Sequence, residues 1–398
     1  KNGAVVDADI NGMSSSKLSG ALPAISGAAL TGITSAGKAH NLVINGAMRV
    51  AQRGTSSTTS GIHTVDRIGC DFGGADENPT QEQVDVAAGT TPYSLGFRKA
   101  FKITNGNQTS GAGASDYVRT DYKIEAQDVA TSGWNYTSSS SNITLSFWVK
   151  SSVSKDFNFL IHTTDGTAKL YPMTTGTLSA DTWTKITKTI PGVSSLTFDN
   201  NNGSGIIFQI YQYLGTTYTA GSVTNNQWQN YSSTEQTPDQ TTTWWTTNNA
   251  TFELTGVQLE VGDSATDFEH LSFADDLRKC QRYCYTFNGD GSQGGDGQTV
   301  LSENGTLYNA SAFFCSIEFK VTMRAKPTMS VTTGTNYYVF YSNNSGVDVT
   351  GSAIAMNGNT GTEAVAFNHN GTTLGTSGHS ALFRINNTSA KIIFSAEL

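Results

Sequence analysis

The segment Asp156-Phe-Asn-Phe-Leu-Ile-His162 contains the pattern that decides the fold class. Phe157, Phe159 and Ile161 alternate with the two residues between them, so in an extended chain their side chains would share one face. Alternation with a period of two residues is typical of a strand whose two faces meet different surroundings. The segment therefore predicts a β-strand with one side buried in a hydrophobic core.

Comparable segments recur before and after it, each bounded by Gly, Ser, Thr or Asn. They are residues 145–150, 183–190, 206–214 and 250–261, and later residues 313–322, 337–341 and 391–394. The 41 Gly against 7 Pro also favour short strands joined by tight turns. The sequence therefore predicts an all-β chain in which a two-sheet sandwich is followed by a second β domain.

One helix is predicted near residues 273–285. Ser272 can cap its first turn, Asp275 and Asp276 would lie at its positive end, and basic residues follow. Leu277, Cys280 and Cys284 would form one apolar stripe. We expect this helix to connect the two β domains.

Residues 1–39 differ from the rest of the chain, because short aliphatic-polar-Gly triplets such as Ile10-Asn11-Gly12 and Leu30-Thr31-Gly32 recur there. Units this short cannot bury their aliphatic side chains alone, whereas identical chains winding together could bury them. The segment is predicted to be a shaft shared by several copies, with a flexible linker as the alternative. The predicted boundaries are a shaft at 1–39, a sandwich at 40–271, a connecting helix at 272–287 and a C-terminal tip at 288–398.

The composition excludes several classes of protein. Only 14% of the 398 residues are charged and the formal charge is −8, so a nucleic acid partner is not expected. Thr, Ser and Asn supply 55, 42 and 30 residues, which indicates a surface of hydroxyls and amides. No segment has the ~20 apolar residues of a membrane span and no leader opens the chain, although Lys1 at the first position leaves room for residues before it.

No cofactor is expected, and a structural calcium ion is the one alternative that the residues leave open. The four cysteines are too scattered for a disulfide framework, and Cys280 and Cys284 have no further ligands at metal-binding spacing. We expect reduced thiols and no metal at that pair. Carboxylates around residues 71–77 could hold a structural calcium ion, although the spacing of a helix-loop-helix calcium loop is absent.

Several motifs occur in a fixed order along the chain. They are Asn41-Leu-Val-Ile-Asn-Gly-Ala-Met-Arg-Val-Ala-Gln-Arg-Gly54, Val65-Asp-Arg67, Phe147-Trp-Val-Lys150, Leu254-Thr-Gly-Val-Gln-Leu-Glu-Val-Gly262, Ala265-Thr-Asp-Phe-Glu269 and Cys280-Gln-Arg-Tyr283. In this order they resemble tail fibre and tail-associated proteins of bacteriophages and prophages, and Met323-Arg-Ala-Lys-Pro327 looks like the opening of a fibre tip domain.

The resemblance has consequences for fold, partners and location. It implies a jelly-roll sandwich similar to carbohydrate-binding modules, a homotrimer, and an N-terminal end that joins other tail proteins. It also implies a virion protein, assembled in the bacterial cytoplasm, that binds a host polysaccharide or lipopolysaccharide and does not insert into membranes.

Aromatic and histidine side chains are the candidate carbohydrate-binding residues, because sugars pack on aromatic faces that hydrogen-bonding groups flank. Trp244 and Trp245 are expected on a strand, pointing to opposite faces, so at most one of them would lie in the core. Ordinary packing in the core or at a subunit contact is the alternative for every candidate. The candidates are Trp228, Tyr231, Trp244, Trp245, Tyr337, Tyr338, Tyr341, His369 and His379.

The sequence carries no Gly-x-Ser-x-Gly, phosphate loop or His-Glu-x-x-His motif, so a catalytic role is not predicted. Two carboxylates about 5 to 10 Å apart would nevertheless suffice for a polysaccharide depolymerase, and a sequence does not reveal such a pair. The predicted function is therefore non-catalytic, multivalent attachment to a host glycan. The alternatives are a depolymerase and a virion structural protein with no ligand.

Overall fold

The computed structural model describes residues 41–289, 299–343, 345–370 and 373–398. The predicted shaft at residues 1–39 lies outside these residues. Within them, the longest helix has nine residues, far fewer than a membrane span needs, and none of these helices could cross a bilayer.

Twelve strands build the N-terminal part of the described chain. They are β1 (Ser56–Ser57), β2 (Ile68–Gly73), β3 (Thr80–Asp85), β4 (Lys99–Thr104), β5 (Tyr117–Glu125), β6 (Asn142–Ser151), β7 (Asn158–Thr163), β8 (Lys169–Thr174), β9 (Thr184–Pro191), β10 (Ser204–Leu214), β11 (Gln229–Asn230) and β12 (Thr251–Val261). Helices α1 (Thr91–Ser94), α2 (Ala126–Ala130) and α3 (Thr243–Thr246) and a 3₁₀ turn at Thr216–Tyr218 lie between them.

These strands form two antiparallel sheets of six strands each. The first sheet has the order β1-β3-β4-β12-β6-β9, and the second has the order β11-β8-β7-β10-β5-β2. Their inner faces enclose one large core, in which the rings of Phe147 and Phe159 meet edge to face at 5.3 Å. The prediction of an all-β chain with a jelly-roll β-sandwich is confirmed.

The strand that decided the fold class is buried on both of its faces. Phe159 and Ile161 enter the main core as predicted, but Leu160 on the opposite face is also fully buried, in a small cluster with Tyr211. The reason is that residues 215–241 fold over this end of the second sheet: the Asn158 side chain donates to the carbonyl oxygen of Pro238 at 2.8 Å. The prediction of one buried side was therefore wrong for β7.

The predicted helix is present as α4 (Phe273–Gln281). The Ser272 hydroxyl accepts a hydrogen bond from the backbone N–H of Asp275 at 3.1 Å, as the capping pattern predicts. The helix is shorter than predicted because Cys284 already belongs to a strand that pairs with the C-terminal end of the chain. All four cysteines are buried and free.

Ten further strands follow α4. They are β13 (Cys284–Asn288), β14 (Thr299–Asn309), β15 (Ala312–Glu318), β16 (Thr328–Val331), β17 (Tyr338–Ser342), β18 (Ser345–Val349), β19 (Ile354–Met356), β20 (Ala364–Asn370), β21 (Ser380–Ile385) and β22 (Lys391–Ser395), with a 3₁₀ turn at Gly351–Ala353. They form a three-stranded sheet, β13-β22-β16, and a seven-stranded sheet, β18-β17-β21-β14-β15-β20-β19. The two sheets enclose a second core that includes Phe367 and Phe394. We call this part of the chain the C-terminal region.

Candidate ligand-binding site between the sandwich and the C-terminal region

Two of the predicted sugar-binding residues, Trp244 and Trp245, lie in the core of the sandwich. They belong to the short helix α3 and not to a strand, and they are 0% and 1% exposed. Trp245 donates its indole N–H to the carbonyl oxygen of Gly111 at 2.6 Å, and the Asn105 side chain donates to the carbonyl oxygens of both tryptophans. Both residues are therefore structural, and neither presents a ring to a ligand.

Tyr338 and His369 are also buried, in the core of the C-terminal region. The Tyr338 hydroxyl donates to the carbonyl oxygen of Lys391 at 3.0 Å. His369 packs against Phe340 with ring centroids 5.3 Å apart, and burial lowers its pKa. The prediction that these two residues contact a receptor is wrong in this structure, because strand pairing places both side chains inward.

The other predicted residues reach the surface at separate places. Trp228 is half-buried and its N–H donates to the carbonyl oxygen of Pro191 at 2.6 Å. Tyr231 is 38% exposed and stacks on the ring of His162, with centroids 4.2 Å apart. In the C-terminal region, Tyr337 and Tyr341 are half-buried and His379 is exposed. Trp228 and Tyr231 flank β11, but Trp228 packs on Tyr171 of the main core and Tyr231 stacks on His162, so the two rings do not form one site.

A cavity lies where the outer face of the second sheet meets the C-terminal region. Its volume is about 600 Å³, within the range of small-molecule sites. We call it the junction pocket. The sandwich contributes Arg53, Ser56, Ser57, Gly61, Ile62, His63, Arg67, Gly69, Asp71, Asp121 and Lys123, and the C-terminal region contributes Ser330, Ile393, Ser395, Glu397 and Leu398.

The pairing of β2 with β5 builds the sandwich side of the junction pocket. In this register Asp71 lies opposite Arg119 and Gly69 lies opposite Asp121, so the charged side chains line up on the outer face. A β-carbon added at Gly69 would lie 3.1 Å from the carbonyl oxygen of Gly61. Glycine therefore lets residues 61 and 62 pack directly against β2.

Two aspartates of the pocket have pKa values that are displaced in opposite directions. Burial raises the pKa of Asp121 to about 6, although Arg119 lies 2.8 Å from it and partly offsets this effect. For Asp71, burial is outweighed by a hydrogen bond with Asp121 and by the charge of Arg119, and its pKa is lowered. The Gln209 side chain donates to Asp121 at 2.5 Å, which completes a polar network across three strands.

A buried charge cluster forms the floor of the junction pocket. Arg67 is 1% exposed, donates to the Glu397 carboxylate and to the carbonyl oxygen of Lys123, and lies 3.5 Å from the ring centroid of Tyr283. Glu397 also accepts from Arg53 at 3.1 Å. The penultimate residue of the chain is thus held by two arginines of the sandwich.

The charges that line the pocket cancel. The lining includes three cationic side chains, Arg53, Arg67 and Lys123, and three acidic ones, Asp71, Asp121 and Glu397. Burial, followed by the charge of Arg53, lowers the pKa of His63, which favours its neutral form. The pocket therefore offers many hydrogen-bonding groups and no net charge.

Residues from separate sequence motifs meet around the junction. Arg282 makes two hydrogen bonds to the Glu125 carboxylate, at 2.7 and 2.8 Å. Arg324 exchanges hydrogen bonds with Asn202, and Gln52 donates to the carbonyl oxygen of Cys284 at 2.6 Å. Between the motifs themselves, the backbone N–H of Gln52 donates to Asp66 at 3.0 Å, Arg67 lies over the ring of Tyr283, and the backbone N–H of Arg324 donates to the carbonyl oxygen of Arg282 at 2.8 Å. The motifs at 41–54, 65–67, 280–283 and 323–327 therefore meet, a convergence that their positions in the sequence did not reveal.

No cluster of three or more side chains suited to hold a metal ion occurs in the part of the chain that the structure describes. The carboxylates proposed for calcium have other partners: Asp71 pairs with Arg119, Asp76 accepts from Ser110, and Glu77 accepts from the backbone N–H of Asn107. The calcium site remains a prediction.

No protein-family model and no curated protein matches the chain. Among solved structures, the enzymatically active domain of bacteriophage CBA120 tailspike protein 4 aligns with 56% of this chain and 21% of its own length, at 9% identity and a TM-score of 0.29. The family 11 carbohydrate-binding module of a Clostridium thermocellum cellulase aligns with 55% of this chain and 98% of its own, at 16% identity and a TM-score of 0.25. The CBM22-1-CBM22-2 tandem domain from Paenibacillus barcinonensis covers 92% of this chain at 8% identity and a TM-score of 0.27. TM-scores this low establish no shared fold, and the fold described above rests on strand order and pairing.

Proposed function

We propose that this protein is a phage tail fibre protein that attaches the virion to a host surface glycan, and that the junction pocket binds the glycan without chemical change. One observation carries the proposal: a cavity of about 600 Å³ is lined by hydrogen-bonding side chains, with equal numbers of cationic and acidic groups among them. A neutral, polyhydroxylated ligand suits such a lining, because it satisfies donors and acceptors without adding a buried charge.

The attachment role is supported by the order of the sequence motifs and by the composition. A surface rich in Ser, Thr and Asn changes little with salt or pH, which suits a protein that works outside cells. A homotrimer would carry three copies of each site. Several weak sites acting together raise the effective concentration and would make attachment nearly irreversible.

A non-catalytic role is supported by how the two pocket aspartates are held. Asp71 and Asp121 share the guanidinium of Arg119, which donates to Asp121 at 2.8 Å and to Asp71 at 3.3 Å. Glycosidases need two carboxylates that act separately on opposite sides of a sugar bond, about 5 to 10 Å apart. This pair is engaged in the network between strands, so binding is the better interpretation of the pocket.

The proposal is tested on a glycan array and on host cells with the full chain and the variant Asp71→Asn. This substitution removes the charge and keeps the shape, and we expect binding to fall about tenfold, since a hydrogen bond to a charged group contributes about 1.5–3 kcal/mol. The matched control is Glu303→Gln, which removes an exposed carboxylate of the C-terminal region far along the chain from the pocket.

Three outcomes would contradict parts of the proposal. Equal binding by Asp71→Asn and the unchanged chain would exclude the junction pocket, and no binding to any glycan or host cell would exclude attachment. Release of reducing sugar from host polysaccharide would identify a depolymerase. A solution mass near 42.3 kDa instead of three times that value would exclude the trimer.

A further inference from the structure

The outer face of the first sheet carries a second concave site, on a sheet that contributes only the short edge strand β1 to the junction pocket. It has a volume of about 260 Å³, and its aromatic lining consists of Phe97, Trp148, Phe268 and His270. We call it the aromatic groove. None of its four rings was singled out as a sugar contact from the sequence.

A bulge in β12 makes room for the groove. The register between β12 and β6 shifts between Thr255 and Gln258, and Gly256 within the bulge has a φ of +63°, a conformation that favours glycine. A β-carbon at Gly256 would lie 2.6 Å from the ring of Phe97. Glycine therefore allows this ring to lie directly on the strand and to form the floor of the groove.

Three of the rings form one edge-on cluster. The centroids of Phe97 and Phe268 are 4.9 Å apart with an interplanar angle of 69°, and those of Phe268 and His270 are 4.9 Å apart at 65°. Phe97 is 2% exposed, Phe268 is half-buried and His270 is exposed. His270 is held in place by a 2.9 Å hydrogen bond between its Nε2 atom and the carbonyl oxygen of Leu95. The cluster thus presents fixed aromatic edges and faces to the groove.

Trp148 differs from four other tryptophans of the chain in the bonding of its indole N–H. Trp134, Trp228, Trp244 and Trp245 each donate their N–H to a backbone carbonyl oxygen. Trp148 makes no such bond to any residue that the structure describes, although it is half-buried in the groove wall. Its Nε1 atom is not among the buried polar atoms that lack a partner, so this donor reaches solvent and is open to an acceptor on a ligand.

The polar groups of the groove are also balanced. Lys185 lies opposite Trp148 in the pairing of β6 with β9, and Asp267 lies beside Phe268, so the groove has one positive and one negative group. A helix with its side chains is about 10–12 Å across and is too wide for a groove of this volume. A single sugar ring fits this lining. Its apolar face can pack on the aromatic rings, and its hydroxyls can bond to the indole N–H and to the two charged groups.

We infer that the aromatic groove is a second saccharide-binding site that takes one neutral sugar residue, with Trp148 as its donor and packing surface. The inference does not depend on the junction pocket. With one site on each sheet, a single chain contacts two parts of a glycan coat, and its three copies in the proposed trimer contact six.

The test uses the full chain labelled with nitrogen-15 and a panel of methyl glucoside, methyl galactoside, rhamnose and N-acetylglucosamine at millimolar concentration. We expect at least one sugar to shift the indole N–H signal of Trp148, which Trp148→Phe identifies by its loss. Trp148→Phe retains an aromatic ring without the donor, and we expect it to weaken that sugar's affinity about fivefold, as measured from the His270 ring signals. Tyr308→Ala, which removes a ring that is 72% exposed in the C-terminal region, is the control and should leave the affinity unchanged.

The outcome separates the two sites. Asp71→Asn should not affect the Trp148 signal or its response, so failure of the junction pocket leaves this inference intact. No shift of the Trp148 signal with any sugar of the panel overturns the inference. It is also overturned if Trp148→Phe changes the solution mass of the protein, because the groove would then be a contact between copies.

Discussion

Asp66 shows how burial changes a single residue of the junction. Its carboxylate is almost completely buried, accepts two hydrogen bonds from Gln52 and lies 3.7 Å from Arg53. Burial nevertheless dominates and raises its pKa from 3.8 to about 6. This residue therefore contributes a pH dependence to the stability of the sandwich.

We predict that replacing Asp66 with Asn removes part of that pH dependence. Because the pKa is higher in the folded chain, the contribution of Asp66 to stability is fully present below pH 3.8 and is lost as the pH rises to about 6. A shift of this size corresponds to roughly 3 kcal/mol. Relative to the unchanged chain, Asp66→Asn should thus gain stability as the pH rises through this window.

Urea unfolding of both chains below pH 3.8 and above pH 6 measures this difference. Asp121, whose pKa is also about 6, is retained in both chains, so its effect cancels in the comparison. A difference between the two chains that is constant with pH would contradict the prediction.

Tryptophan residues show which individual predictions failed and why. Adjacent side chains of a strand point to opposite faces, so the sequence predicted at most one of Trp244 and Trp245 in the core. Both are buried, because they lie in one turn of helix and not in a strand. Trp148 was not predicted to contact sugar, because the motif Phe147-Trp-Val-Lys150 is typical of an ordinary strand. Only the bulge at Gly256 and the ring of Phe97 make its surroundings concave.

Among the elements, α4 was the most predictable from the sequence. Its cap, its acidic first turn and its basic residues are all local signals, and the structure has Ser272 in the capping position. Its C-terminal end was not predictable, because pairing of β13 with β22 depends on a segment about a hundred residues away in the chain.

We predict that Ser272→Ala lowers the free energy of unfolding by about 1 kcal/mol, since it removes an N-cap hydrogen bond. Thr242 at the N-cap of α3 provides the matched control, because its side chain makes no capping bond. Thr242→Ala should change the stability by only a few tenths of a kcal/mol. Equal effects of the two substitutions in denaturant unfolding would show that the cap does not contribute.

The positions of strands along the chain were predicted more reliably than the burial of their two faces. Residues 145–150, 206–214 and 250–261 fall within or nearly coincide with β6, β10 and β12. The alternation in β7 was also correct for Phe159 and Ile161. What failed was the assignment of its other face to solvent, because no local signal tells that residues 215–241 cover it.

At the scale of the whole molecule, residues near the C-terminal end of the chain stabilise the sandwich. Glu397 accepts a hydrogen bond from Arg67, whose side chain is fully buried in the sandwich. Lys391 donates to the carbonyl oxygens of Gln52 and Arg53, both at 2.9 Å. Deleting residues 288–398 would leave Arg67 without its carboxylate. Such a deletion therefore tests folding together with binding, which is why the experiments above use single substitutions in the full chain.

We predict that Glu397→Ala lowers the free energy of unfolding by about 3–5 kcal/mol, because removing one partner leaves a buried charge uncompensated. Guanidinium unfolding measures this, with Glu363→Ala, at an exposed position of the C-terminal region, as the control. A loss no larger than that of the control would show that solvent replaces the carboxylate at Arg67.

The sequence by itself determined the all-β class, the positions of most strands, and a capped helix between two β-rich parts. These properties depend on residues close together in the chain, through side-chain alternation, turn residues and capping. Only the tertiary structure decided which aromatic rings are buried and where concave sites form. It also decided which arginine and carboxylate side chains, far apart in the sequence, pair with each other. Those properties depend on segments that meet across hundreds of residues, such as Arg67 with Glu397 and Gly256 with Phe97, and burial is set by such contacts and not by local pattern.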